Sequence, residues 1–148
     1  MEEVMEMENK ADVISQSVLR LNHVVFDKIS FLRNGFMNKS KDKTDVQLRI
    51  GVSIEKDDIN EYRVSLQVLA EKEDEYSVEI QITGYCSIAD ECKIKDTILK
   101  KNAVAILFPY VRAQLTLITS QPEVEPIVLP VINISAIVDN MGISIQEK

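Results

Sequence analysis

Asp45-Val46-Gln47-Leu48-Arg49-Ile50-Gly51-Val52-Ser53-Ile54-Glu55 decides the fold class. Val46, Leu48, Ile50, Val52 and Ile54 point one way along an extended chain, and Asp45, Gln47, Arg49, Ser53 and Glu55 point the other. Side chains alternate faces along a strand, so this is the pattern of a strand with one dry face and one wet one. On the C-terminal side it recurs twice. Tyr62, Val64, Leu66 and Val68 oppose Glu61, Arg63, Ser65 and Gln67. Val78, Ile80, Ile82, Cys86 and Ile88 oppose Ser77, Glu79, Gln81 and Thr83. The links 55–61 and 71–75 are short and charged, as antiparallel hairpin connections should be. On the N-terminal side a longer strand is expected from about Val18 to Leu32. Leu19, Leu21, His23 and Val25 share its apolar face, and Ile29 and Phe31 resume it after Asp27. Four strands joined in this way make an antiparallel sheet with one face to cover.

The second half supplies the cover. A short helix is expected over 91–101. A second follows from Ala103 to about Ser120, with Asn102 as its cap and Pro109 inside it as a kink or a lost hydrogen bond. Ala103, Ile106, Leu107, Tyr110, Leu117 and Ile118 form one stripe, and Val104, Phe108, Val111 and Leu115 cover much of the remainder. A helix that covers only its own sheet needs one apolar stripe; one that is apolar nearly all round must be buried on more than one side. A single four-stranded sheet cannot provide two surfaces, so the pattern predicts association with further copies of the chain. Residues 121–130 then carry Pro122, Pro126 and Pro130 around Ile127, Val128 and Leu129, an extended and irregular crossover with apolar side chains abnormal for a simple loop. A short helix is expected from Asn133, and the tail after Gly142 is brief. The fold class is therefore α+β: a four-stranded antiparallel sheet, a long helix, a crossover loop and a short second helix. Residues 1–12 read as a disordered acidic arm, 13–140 as one domain and 141–148 as a tail.

Composition narrows the function. The 148 residues are 45% hydrophobic and 28% charged, with a net charge of −7. This is a soluble globular composition, and its sign disfavours nucleic acid and anionic membrane as partners. The chain opens on acids where a secretory signal needs bases, and its longest apolar run, 103–111, is far short of the ~20 residues that span a bilayer. A cytoplasmic protein is expected. Cys86 and Cys92, with one histidine in the whole chain, cannot furnish a zinc site, and both are expected to be reduced. His23 reads as a structural histidine on the apolar face of the first strand. No Gly-rich phosphate loop and no nucleophile–base set can be assembled, so neither a cofactor nor an enzymatic activity is expected. A thioesterase built as a helix on a sheet would need a polar catalytic group beside the helix, and 103–109 offers none. An inert subunit of a larger complex is the other alternative.

Ile106-Leu107-Phe108-Pro109-Tyr110-Val111-Arg112 resembles the "LFPYAR" signature of SecB-type protein-export chaperones. Ile29-Ser30-Phe31, the strand 62–68, Gly84 followed by Tyr85-Cys86-Ser87-Ile88, and Leu129-Pro130 with Asn133-Ile134 resemble further family segments in the same order. The resemblance implies a tetramer built as a dimer of dimers, its long helices lying between two eight-stranded sheets. It implies ATP-independent binding of unfolded polypeptides that keeps preproteins competent for translocation. By position, Val46, Leu48 and Ile50 on the second strand would line the client groove with Ile127, Leu129, Val131 and Ile134 of the crossover segment. Core packing is the alternative role for the three strand residues. Leu107, Phe108, Pro109 and Tyr110 carry the signature, the two aromatic residues chiefly as packing. Glu79 is the candidate for an acidic contact with the translocation ATPase SecA, although Lys28 and Leu32 stand where the family has acids. Some relatives serve a single antitoxin instead of general export, and that client role is the alternative.

Overall fold

The alternating segments become the long strands of one sheet. The computed structural model describes residues 18–35, 46–90, 92–130 and 133–147; the N-terminal arm and Val131 lie outside the described residues. The strands are β1 (Leu19–Arg33), β2 (Gln47–Asp58), β3 (Glu61–Lys72) and β4 (Tyr76–Ile88). β2 pairs antiparallel with β3, β3 with β4, and β4 with β1. The β2–β3 and β3–β4 turns place Asn60 (φ 65°) and Asp74 (φ 61°) in the left-handed region, which short polar side chains tolerate best after glycine.

The helical half is one continuous run where the sequence suggests two separate helices, and it begins at Lys95 rather than at 91. Helix α1 (Lys95–Thr97) runs into a π-helical stretch (Ile98–Ala103) and then into α2 (Val104–Thr119) without a break. Asn102 is therefore no cap. It sits inside the continuous helix, and Ala103, at the junction, has ordinary helical dihedrals (φ −63°, ψ −44°). Burial of Leu99 and Ala103 against the core outweighs the local preference of asparagine for a helix start. Pro109 lies on the exposed side of α2. After the crossover, α3 (Ile134–Met141) begins where Asn133 caps it, the side chain accepting the Ala136 N–H at 3.4 Å. It ends at Gly142 in the left-handed conformation (φ 60°). The chain then turns into a fifth strand, β5 (Ile145–Glu147), which lies parallel to β2. The sheet order is β1-β4-β3-β2-β5. β5 is thus a strand where the sequence pattern predicts only a brief tail.

α2 packs over β4, β3 and β1. Between them lies the core: Val64, Leu66, Val68, Val78, Ile80 and Ile82 from the sheet, and Leu99, Leu107, Val111 and Leu115 from the helix, each at most 1% exposed. The expected face of β1 needs one correction. Register shifts between Leu21 and His23 and between Phe26 and Lys28 insert residues into the strand, and each insertion reverses the alternation. Leu19 and Leu21 face inward as expected, but Val24 and Phe26 replace His23 and Val25 on the core side. His23 is carried to the exposed outer face, edge-on to Tyr85 at 6.4 Å.

Candidate functional site

The helix that carries the signature packs against the sheet at a glycine. A side chain at Gly84 would meet Leu107 Cδ2 at 3.0 Å and Leu21 Cδ1 at 3.1 Å. The absence of one there lets α2 settle on β4. Leu107 (0%) and Phe108 (4%) are buried in this contact. The opposite face of α2 is uncovered. Ile106 is 42% exposed, Tyr110 47% and Leu117 65%, with exposed Ala113 between the last two. Steps of four, three and four residues put them in one line along the helix. The signature is thus split: Leu107 and Phe108 pack inward, while Pro109 and Tyr110 face out.

A second apolar surface lies beyond the reach of α2. On the inner face of β2 burial declines from Ile54 back to Leu48. Ile54 is fully buried, Val52 and Ile50 are half-buried, and Leu48 is 41% exposed; Val46 is half-buried. The crossover is tied to α2 by two hydroxyls. Thr116 Oγ1 donates to the Ile127 carbonyl at 2.7 Å, and the Ile127 N–H donates to Thr119 Oγ1 at 2.9 Å. Ile127 is half-buried against the core and Leu129 is 5% exposed, whereas Val128 between them is 74% exposed. Ile134 opens α3. A proline-rich loop has no periodic signal, so nothing in the sequence separates buried Leu129 from Val128, the most open residue of the run.

The outer face of the sheet is polar and internally paired. Thr83 donates to Asp27 Oδ2 and shares a 3.0 Å hydrogen bond with Ser65. Arg63 bridges Asp57 and Glu55 at 2.7 and 2.6 Å, and these contacts, the Asp57 hydrogen bond first, hold its guanidinium above its ordinary range. Glu79 has a partner on each oxygen: Lys28 Nζ at 2.6 Å and Gln67 Nε2 at 2.8 Å. Those hydrogen bonds, the lysine's first, pull its carboxyl below the ordinary 4.5. A carboxyl lowered on folding contributes stability above its ordinary range, and that contribution is lost as pH falls through the lowered value. Lys28→Ala should therefore move the Glu79 midpoint upward in a carbon-detected NMR titration.

Thiol chemistry separates in the same way. Cys86 is 2% exposed and burial pushes its thiol up to about 11; Cys92 is half-buried, and neither forms a disulfide. At pH 8 a maleimide should modify Cys92 first, with Cys86 reacting only on unfolding. Among the described residues, no three His, Cys, Asp or Glu side chains are grouped to hold a metal, and no helix is long and apolar enough to cross a membrane.

These features match one family. The family described as preprotein translocase subunit SecB matches residues 15–141, which include strands β1 to β4 and every helix but not β5. The chain belongs to the SecB family. SecB proteins are chaperones rather than enzymes, in keeping with a site made of apolar surface. One relative is the uncharacterized protein MJ0357 of Methanocaldococcus jannaschii, 24% identical over an alignment of 131 positions that covers 83% of this chain and 84% of the relative. Among solved structures, the chain is similar to the SecB-like chaperone Rv1957 of Mycobacterium tuberculosis, in complex with a ChAD peptide from the Rv1956 HigA1 antitoxin. The TM-score is 0.67 at 10% identity, over 82% of this chain and 94% of that one. That likeness places the α+β architecture, with its mostly antiparallel sheet, long helix and short helix, in the SecB-like fold.

Proposed function

We propose that this SecB-family chain is an ATP-independent holdase that binds unfolded polypeptide on the inner flank of β2 and the crossover. The observation that carries the reading is the open end of the apolar face of β2, from half-buried Ile50 to Leu48, which is 41% exposed. Unfolded chains present apolar side chains, and each Å² withdrawn from water contributes about 25 cal/mol. Val46, Leu48, Ile50 and Ile127 are the proposed contacts, joined by Val131 and Ile134; Leu129 supports the crossover from beneath. The stripe Ile106–Tyr110–Leu117 is assigned to a second copy of the chain, in an assembly that we take to be a dimer of dimers. Stoichiometric protein without ATP should suppress aggregation of a chemically denatured client on dilution, and unchanged light scattering overturns the reading.

A dedicated client, such as an antitoxin, is favoured over general export by one feature. Glu79, the candidate for SecA docking by family resemblance, has both oxygens occupied by Lys28 and Gln67. An acid already paired has less to offer a basic partner. Co-purification from the native cytoplasm separates the two roles: one stoichiometric partner supports the first, and a spread of preproteins with SecA the second.

A further inference from the structure

Strand β5 occupies a small part of a long edge. Its three residues pair with Ile54, Glu55 and Lys56 of β2. Among the described residues, the same edge from Gln47 to Ser53 pairs with no strand. This open run is the one that carries Leu48 and Ile50. At about 3.3 Å per residue, its seven positions span about 23 Å.

The tail itself has the form of an extended apolar segment. Ile143 and Ile145 are half-buried against the core, while Ser144 and Gln146 are exposed. It is attached through Gly142, at φ +60° with no atom within 4 Å of where a side chain would be, so the hinge is unobstructed. Because β5 runs parallel to β2, the tail enters the edge beside Ser53, at the end of the open run. Three parallel pairs make a weak attachment, because the strand is short and parallel pairing is less stable per residue than antiparallel.

We propose that β5 is a displaceable stop on the β2 edge: an intramolecular stand-in for a client strand, which an incoming extended segment of more than about seven residues must push aside. The proposal rests on the holdase reading above. While β5 is docked, only short segments fit between Gln47 and Ser53; when it is released, the whole edge of β2 is open. Apparent affinity for a long client is then reduced by the fraction of molecules with β5 released.

The test uses three forms of the full protein in a Cys92→Ser background: unaltered, truncated after Gly142, and carrying Glu55→Cys with Gln146→Cys. Glu55 and Gln146 are register partners. Neighbouring strands lie about 4.8 Å apart, within the Cα range a disulfide accepts. The probe is fluorescein-labelled, reduced and carboxymethylated α-lactalbumin, which cannot refold, followed by anisotropy. If β5 is docked nine-tenths of the time, truncation tightens binding about tenfold. The oxidised pair should weaken it beyond the unaltered protein, and dithiothreitol should reverse the change. Equal affinities in the three forms, with unchanged circular dichroism and sedimentation, overturn the stop alone. Binding by none of them overturns the stop and the holdase reading together. A truncated form that loses its native circular dichroism passes the decision to the disulfide pair, where binding indifferent to oxidation rejects the proposal.

Discussion

Leu107→Ala is expected to destabilise the protomer by about 2–5 kcal/mol, the range for truncating a fully buried leucine. Leu107 is 0% exposed and rests on the gap at Gly84, so removing its isobutyl group leaves a void between α2 and β4 that the sheet cannot close. Gly84→Ala should also destabilise, for the opposite reason. Its new methyl would sit 3.0 Å from Leu107 Cδ2, and overpacking costs about 1–3 kcal/mol. The two changes should not add. With Leu107 truncated, the methyl at position 84 enters vacated space, so the double variant should be more stable than the sum of the two losses predicts. Urea unfolding at one fixed protein concentration measures all three. Strict additivity would show that the helix does not seat through this contact.

Leu117→Asp is expected to split the proposed assembly while leaving the protomer folded. Leu117 is 65% exposed, so aspartate there is solvated in an isolated copy and costs the fold little. Between two α2 helices the same carboxylate would be buried opposite apolar partners, a cost of several kcal/mol. Sedimentation velocity at micromolar concentration should show the variant shifted to smaller species with unchanged circular dichroism. If the stripe faces only water, the variant and the unaltered protein will sediment alike. Leu48→Asp provides a contrast, since it should reduce client binding and leave sedimentation as it was.

The strands were legible because their alternation is long and uninterrupted. β2, β3 and β4 each carry at least eight alternating positions, and the sheet face they predict is the one that packs. β1 was legible as a strand but not as a face. Its two register shifts are set by pairing with β4, and nothing in Leu21-Asn22-His23 or Phe26-Asp27-Lys28 announces an extra residue. That alone misplaced His23. Asn102 failed in another way: a correct local preference lost to the packing of Leu99 and Ala103. β5 escaped notice because Ile143-Ser144-Ile145-Gln146 is too short for periodicity to speak, and its partner lies about ninety residues away in the chain. At the candidate site, the apolar excess of α2 could be read from composition along the helix. Which crossover side chain is sheltered and which is open depends on the Thr116 and Thr119 hydroxyls that hold Ile127, and those contacts have no sequence signature.

The two irregularities in β1 bear on what happens when many copies meet. A fifteen-residue outermost strand, straight and regular, would be a template for runaway stacking into amyloid-like ribbons, the hazard a protein with so much oily surface can least tolerate. Each inserted residue sharpens the local twist and breaks the ladder, so a neighbour that zips on over a few residues falls out of step beyond them. Growth along that border becomes self-limiting, and closed assemblies are favoured over endless ones.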